Sequence, residues 1–244
     1  MKRNQVKDAH DLYDVRAKTY DASFHKRFSS HIVQLANPQP GESVLDLACG
    51  TGLVTCNTSN LVGKSRYVTG IDVSTGMLAE ARAELQAHPF GNVQLVHHSI
   101  TDLGSLHELG GRLFDVITCA SALVLLPQPE AALSQWMKYL RPCSRFIIDA
   151  THPRALLPGM VLERVGRRLD LPVPSYRDAF KQPKYLATMM QAAGMTRTTL
   201  TRMSQLSSRD GSHDLQAFVL SDDDEPRRPQ PILSTMQDLF STLK

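Results

Sequence analysis

Val44-Leu45-Asp46-Leu47-Ala48-Cys49-Gly50-Thr51-Gly52 is the stretch on which the reading of this chain turns. The apolar run of Val44, Leu45 and Leu47 has the length and composition of a buried strand. It ends in Gly50 and Gly52, a strand-to-helix turn where a missing Cβ lets the backbone bend sharply and approach a ligand. Asp46 interrupts the run, and a carboxylate among apolar residues is costly unless it accepts hydrogen bonds. A second apolar strand, Tyr67-Val68-Thr69-Gly70-Ile71, ends in Asp72, twenty positions after Gly52. A glycine turn followed at this distance by an acid at a strand end is how a nucleoside-binding fold grips a ribose. To this point a dinucleotide and S-adenosylmethionine fit equally.

The dinucleotide fingerprint wants a third glycine three residues after Gly52, and this chain has Thr55 there. The stretch resembles instead the first motif of class I S-adenosylmethionine-dependent methyltransferases, commonly written LDLACGTG. Further motifs follow in that family's order. Ile71-Asp72-Val73-Ser74 with Met77-Leu78 resembles its ribose-binding strand end and following helix, and Phe114-Asp115-Val116-Ile117 its fourth strand. Leu140-Arg141-Pro142 before Arg145-Phe146-Ile147-Ile148-Asp149 resembles its fifth strand, and Ala192-Ala193-Gly194-Met195 its step into the sixth. The likeness covers residues 10 to 222 or so and follows the small-molecule, ubiquinone/menaquinone-methyltransferase-like branch.

That resemblance implies a cofactor, S-adenosyl-L-methionine, left as S-adenosyl-L-homocysteine. It also implies an α/β, Rossmann-like, mostly parallel seven-stranded sheet with an antiparallel last strand and helices on both faces. In the site it implies, the backbone N–H groups from Gly50 through Thr51 to Gly52, with Ala48 beside them, hold the methionine carboxylate. Asp46 holds the turn and attracts the ammonium, or else satisfies loop amides alone. Asp72 accepts from the ribose diol, next to Val73 and Met77. Where the family usually has an aspartate for the adenine amine, this chain has Ser99, which accepts the same bond less strongly, with Ile100 supplying a backbone N–H and apolar contact. Ala120 lines the methionine side. Tyr13-Asp14 and Tyr20-Asp21 resemble paired Tyr-Asp dipeptides that fold over the cofactor, Tyr20 facing the sulfonium; the alternative is that both rings only anchor helices.

Methyl transfer is an in-line displacement, and alignment of the reactants alone can suffice unless the nucleophile must lose a proton. His152, directly after the fifth strand, is the best-placed base; His25, His31, His97 and His98 are weaker candidates. Tyr13, His25, Leu156 and Met160 are the residues expected to meet the acceptor.

The alternation of elements predicts strands at 43–48, 66–71, 93–97, 114–119 and 145–150, and helices at 52–60, 75–87, 129–140 and 183–193. Two helices fill residues 8 to 36, and 198–205 with 213–220 form a terminal hairpin. Asn57-Thr58-Ser59-Asn60 are poor helix formers, so the helix after Gly52 should be short. We expect one methyltransferase domain over 1–222, comprising a helical cap at 1–36 and a lid inserted at 151–182, then a linker and amphipathic helix over 223–244.

Bulk properties narrow the classes. With 244 residues, 42% hydrophobic and 21% charged, the chain can bury one large core. A net charge of +3 gives no mandate for nucleic acid. The longest apolar stretch, Cys119 to Leu126, is too short to span a bilayer, and no secretory signal is visible at the start. Four cysteines without zinc spacing read as small buried hydrophobes in a reducing, cytoplasmic setting. Magnesium-dependent catechol chemistry needs carboxylates after both the fourth and fifth strands, and only Asp149 is present. Amino methylation of DNA needs an Asn/Asp-Pro-Pro-aromatic motif where Ala120-Ser121-Ala122-Leu123 stands. What remains is a metal-independent enzyme for a small organic acceptor. Its rival is a chain that binds the cofactor without methylating, as a scaffold or as a catalyst using the sulfonium's fixed charge.

Overall fold

The computed structural model of the protein describes residues 5–88, 91–151, 161, 164–166, 168–169, 180, 182–203 and 217–220. Its centre is β1 (Val44–Leu47), buried along its whole length. β1 pairs in parallel with β2 (Val68–Asp72) on one side and β4 (Phe114–Cys119) on the other. β3 (Val93–His97) lies beyond β2 and β5 (Leu140–Ile148) beyond β4, in the order β3-β2-β1-β4-β5. The strand order reverses between β1 and β4, which opens a crevice at their carboxyl ends, the place where doubly wound sheets bind ligands.

The helices that accompany the strands include α1 (Gln5–Tyr20), α2 (His25–Ala36), α3 (Leu53–Val62), α4 (Thr75–Ala87), α5 (Pro129–Trp136) and α6 (Pro183–Ala192). The strands' period of two sends apolar side chains to both faces. Val44, Val68, Val116 and Ile147 pack with Phe28, Ile32 and Val33 of α2 and with Val54 and Val62 of α3. Leu45, Leu47, Ile71, Ile117 and Ile148 pack on the other face with Leu133 and Trp136 of α5 and Leu186 and Met190 of α6. Strands buried on both faces in this way read as near-continuous apolar runs. Trp136 is fully buried and its Nε1–H donates to Ile100 O at 2.6 Å. The core therefore holds the loop that follows β3.

Gly70 sits mid-strand because a Cβ there would lie 2.9 Å from Thr55 Oγ1 and 3.0 Å from both Cys49 Sγ and a Leu95 methyl. Ser74 caps α4 as expected, accepting from Met77 N–H at 3.1 Å.

Two expectations are corrected and a third is met in part. α3 is not short: it runs ten residues to Val62. Its poor formers have partners, since Thr58 Oγ1 donates back to Val54 O and Ser59 Oγ bonds Asn92 Oδ1. The helix expected over 129–140 ends at Trp136, and a 3₁₀ turn leads into a strand that starts at Leu140 rather than 145. Pro142 forbids helix, and Cys143 takes a left-handed φ of +62° inside that strand. Finally, β7 (Leu200–Met203) and β8 (Ala217–Leu220) pair antiparallel, but β8 pairs with β6 (Ala150–Thr151) in a separate three-stranded sheet. The expected seven-stranded sheet is, among the described residues, five parallel strands and this second ladder.

The expected lid at 151–182 lies mostly outside the described residues. Of its described side chains, Val161, Val165 and Leu169 are exposed while Phe180 is buried in the core. The C-terminal linker and helix over 223–244 fall outside the described residues altogether.

Candidate active site

A cleft of about 700 Å³, its open mouth included, lies over the carboxyl ends of the strands. Its floor comes from the turns after β1 (Ala48, Gly50), β2 (Asp72, Val73, Ser74) and β3 (Ser99, Ile100, Thr101). The stretch after β4 supplies Ala120, Ser121, Ala122, Leu125 and Leu126, and α1 contributes Ala9, Tyr13 and Tyr20. Met77 of α4 completes the described lining. Asp72 is the one side chain with a formal charge in that set.

Asp72 ends β2 nearly buried, with each oxygen held by a backbone donor: Gly50 N–H to Oδ2 and Ser74 N–H to Oδ1, both at 2.8 Å. Burial raises its pKa above the ordinary carboxylate value, and the N–H groups of Ser74, Gly50 and Val73 oppose the rise. Gly50 N–H is thus given to Asp72 and Gly52 N–H to Cys49 O at 2.9 Å. The expectation that these two donors face a ligand carboxylate is corrected: they tighten the turn and orient the acid. Gly50 (φ +56°) and Gly52 (φ +83°) supply the left-handed backbone which that arrangement needs.

Asp46 stands apart from the cleft. It is buried, accepting from Thr55 Oγ1 at 2.6 Å and Thr118 Oγ1 at 2.7 Å, and burial raises its pKa to about 6. Its place ties α3 and β4 to β1, through threonine hydroxyls where the alternative reading expected loop amides.

The two Tyr-Asp dipeptides divide their labour. Tyr13 and Tyr20 line the cleft with ring centres 6.1 Å apart, edge to face. The aspartates pin the helix instead. Asp14 Oδ1 accepts from Ser74 Oγ at 2.5 Å and from Gly76 N–H at 2.9 Å, at the amino end of α4, where a carboxylate is favoured by the helix dipole. Asp21 Oδ1 accepts from Thr51 Oγ1 at 2.6 Å. Thr51 is accordingly buried behind the turn and, like Gly52, does not line the cleft.

His25 stacks on Tyr20 at 3.7 Å and lies behind it, buried, with its pKa lowered to about 4 by burial and by Arg16. It supports the ring and does not line the cleft. His152, Leu156 and Met160 lie outside the described residues. The structure therefore brings together Tyr13, Tyr20, Ala48, Gly50, Asp72, Val73, Met77, Ser99, Ile100 and Ala120, and sets Asp46, Thr51, Gly52 and His25 just behind them.

Sequence reasoning missed Thr101, Leu125 and Leu126 as lining residues, and Asp14 and Asp21 as pins. It also gave Asp149 no structural role. That acid is buried at the end of β5, accepts from Ser121 N–H at 2.5 Å, and has its pKa raised to about 7 by burial. Ala48 (φ +55°) and Ser121 (φ +59°) hold left-handed backbone without being glycine, one after β1 and one after β4. Such conformations cluster where surrounding structure over-determines a functional site.

A family model described as a methyltransferase domain matches residues 44–143. Ubiquinone/menaquinone biosynthesis C-methyltransferase UbiE of Shewanella pealeana is 29% identical over 208 residues, 79% of this chain and 81% of that protein. Residues 44–143 carry a methyltransferase domain of the class I, S-adenosylmethionine-dependent kind. Another relative of this methyltransferase, nocamycin O-methyltransferase of Saccharothrix syringae, is 29% identical over 168 residues, 67% of this chain and 59% of that protein. The chain therefore spans less than two thirds of that relative's length. Magnesium protoporphyrin IX methyltransferase of Synechocystis, solved with S-adenosylhomocysteine bound, shares the fold with a TM-score of 0.57 at 18% identity, covering 82% of this chain and 84% of that one. S-adenosylmethionine is the cofactor of the family. A strand-end acid with pre-oriented oxygens, beside an apolar cleft with no competing cation in its described lining, fits that group.

Proposed function

We propose that this methyltransferase moves a methyl group from S-adenosylmethionine to a small, largely apolar organic acceptor, at oxygen, nitrogen or carbon, without a metal ion. One observation carries the reading. Beyond Asp72 no described residue of the cleft wall carries a charge to meet a charged acceptor, and Tyr13, Tyr20, Ala120, Ala122, Leu125 and Leu126 give the wall an apolar face. A charged acceptor buried against that apolar face would lose its hydration with no opposite charge beside it. The two named relatives support small organic acceptors, one as a C-methyltransferase and the other as an O-methyltransferase.

When bound, S-adenosylmethionine supplies an electrophilic methyl group on a sulfonium. The chain's own residues bind and orient. Asp72, aimed by Gly50 and Ser74, accepts from the ribose hydroxyls, and Val73 and Met77 flank it. The face of Tyr20 lies against the positive sulfur, where the ring quadrupole favours it. Ala48 and Ala120 leave room at the methionine end, and Ser99 with Ile100 meets the base. Asp46, Thr51 and Gly52 act from behind by holding the turn, and His25 by backing Tyr20. His152, one residue past β6, is the base where the acceptor must lose a proton, and the Leu156–Leu162 stretch adds apolar wall.

The test is transfer from labelled S-adenosylmethionine into panels of quinones and of phenolic or enolic polyketides. Labelled product that His152→Ala reduces by roughly 10²-fold, with cofactor affinity unchanged, supports both the reaction and its base. Tight binding of S-adenosylhomocysteine with no labelled product from any panel favours the rival, a cofactor-binding chain that does not methylate.

A further inference from the structure

The stretch after β4 puts Ala120, Ser121, Ala122, Leu125 and Leu126 on the cleft. Ser121 is the one polar side chain among them. Its backbone is left-handed, at φ +59°, a conformation that residues with a Cβ seldom adopt. The turn is held there from behind: Asp149, buried just past β5, accepts from Ser121 N–H at 2.5 Å. A glycine would take the same turn with less strain, yet a buried acid keeps a serine in it.

The other serine, threonine and aspartate side chains of the lining are already engaged. Ser74 Oγ donates to Asp14 Oδ1 at 2.5 Å and accepts from Met77 N–H at 3.1 Å. The Ser99 and Thr101 hydroxyls bond each other at 2.8 Å. Both oxygens of Asp72 hold backbone N–H groups. Ser121 Oγ has no hydrogen-bond partner among the described residues. Ser121 is partly buried, so an apolar ligand packed on this wall strips its hydroxyl of water and leaves it unpaired unless the ligand answers it.

The sheet order says which ligand that is. β3, β2, β1 and β4 lie side by side. With the base on the β3 loop, the ribose on Asp72 and the methionine end between Ala48 and Ala120, the rest of the β4 wall lies past the donor methyl, on the acceptor's side. Sites for apolar ligands fix orientation through a few placed polar groups. A hydroxyl both donates and accepts, so it serves a phenol or enol O–H and a quinone carbonyl alike.

We propose that Ser121 orients the acceptor of this enzyme, its hydroxyl bonding a hydroxyl or carbonyl oxygen on an otherwise apolar molecule, with Asp149 as the positioning residue that holds the turn. The proposal rests on the methyl-transfer reading above, and its test separates the two. The full chain, saturated with S-adenosyl-L-homocysteine, is titrated by fluorescence with 1-naphthol and with 1-methylnaphthalene, which exchange O–H for a methyl group at one position. The ratio of the two affinities is the readout, because it cancels their common apolar contact. Ser121→Ala should shift that ratio against 1-naphthol by about tenfold, the size of a buried hydroxyl left unpaired, with 1-methylnaphthalene and S-adenosyl-L-homocysteine bound as before. Ser121→Gly, which relieves the left-handed backbone, should shift the ratio equally while raising the denaturation midpoint. Asp149→Asn keeps an acceptor for Ser121 N–H and should keep the ratio, whereas Asp149→Ala keeps none and should lose it. A ratio unchanged in Ser121→Ala would overturn the proposal, handing the oxygen to the hydroxyls of Tyr13 or Tyr20. So would failure of both naphthalenes to bind beside the saturating ligand. Weaker binding of S-adenosyl-L-homocysteine in Ser121→Ala would overturn it by placing the hydroxyl on the cofactor. No binding of S-adenosyl-L-homocysteine to the natural chain would overturn the cofactor reading, and this proposal with it.

Discussion

Asp115 and Asp46 occupy neighbouring parallel strands, one at the amino end of β4 and the other near the carboxyl end of β1, and they are held in opposite ways. Asp115 accepts from Arg141 Nη1 at 2.8 Å and from Ser43 N–H at 2.8 Å. Burial works to raise its pKa, but Ser43 N–H and Arg141 outweigh it and hold the carboxyl below its ordinary value. Close by, Arg145 reaches Glu42 at 2.5 Å. At the other end of the sheet, Asp46, Asp72 and Asp149 are buried among neutral donors only: threonine hydroxyls for the first, backbone N–H groups for the others. The amino end is finished, charge against charge. The carboxyl end is left electrically incomplete, and a ligand that carries its own positive charge completes it.

The largest effect expected from this contrast is on stability against pH. Burial lifts Asp149 from 3.8 to about 7 and Asp46 to about 6, so the folded chain binds more protons than the unfolded chain between these limits. Stability then falls as pH rises from about 4 to about 7, because ionising a group whose folded pKa is raised costs more in the folded state. Asp149→Asn keeps an acceptor for Ser121 N–H and removes that ionisation. Chemical denaturation should show it more stable than the natural chain by ~4 kcal/mol at pH 8, with little difference at pH 4. A gain of equal size at both pH values would break the contrast.

Next in size is ligand binding. Asp72→Ala should weaken S-adenosylhomocysteine by roughly 1.5–3 kcal/mol in a calorimeter, the range for losing a charged hydrogen-bond partner. Asp115→Ala, at the finished end, should leave that affinity unchanged. Equal losses would mean that the two ends are not functionally distinct.

Smallest is the worth of the finished end itself. The Arg145–Glu42 and Arg141–Asp115 pairs are partly exposed, with arginine side chains 37% and 35% accessible. Exposed pairs contribute about 0–1 kcal/mol and are screened by salt. Arg145→Ala should therefore lower stability by no more than about 1 kcal/mol, and by less still at high ionic strength, as read from denaturation midpoints. Arg145 also bonds Ala36 O at 2.9 Å, so a residue of that loss should survive salt.

The parallel sheet was legible because its signals are local: apolar runs of strand length, glycines at one turn, an acid at the next strand end. The strand-end acid placed Asp72 on the cleft, and the family resemblance placed Met77 and Ser99 there. What escaped depends on distance in the chain. Asp14 meets Ser74 and Asp21 meets Thr51 across α1, and no spacing rule links such pairs. The length of α3 was misjudged because Thr58 and Ser59 are weak helix formers in isolation, while tertiary partners satisfy their hydroxyls. Gly50 was read as a ligand donor from the turn alone. That its N–H closes on Asp72 required knowing how near β1 and β2 bring the two.

Ala48 and Ser121 show how much of the fold's stability is given up at the crevice. A polypeptide selected only to fold would carry glycine at both, since left-handed backbone costs an L-residue roughly 1–2 kcal/mol. Their side chains instead project into the cleft wall and are kept there against the local preference of the chain. In the language of energy landscapes these two strand ends are frustrated, and frustration of this kind makes a segment the first to loosen when the rest of the domain is weakened. Hydrogen exchange should therefore find the turns after β1 and β4 opening before the strands that carry them, even though β1 is buried along its whole length and β4 at all but one residue.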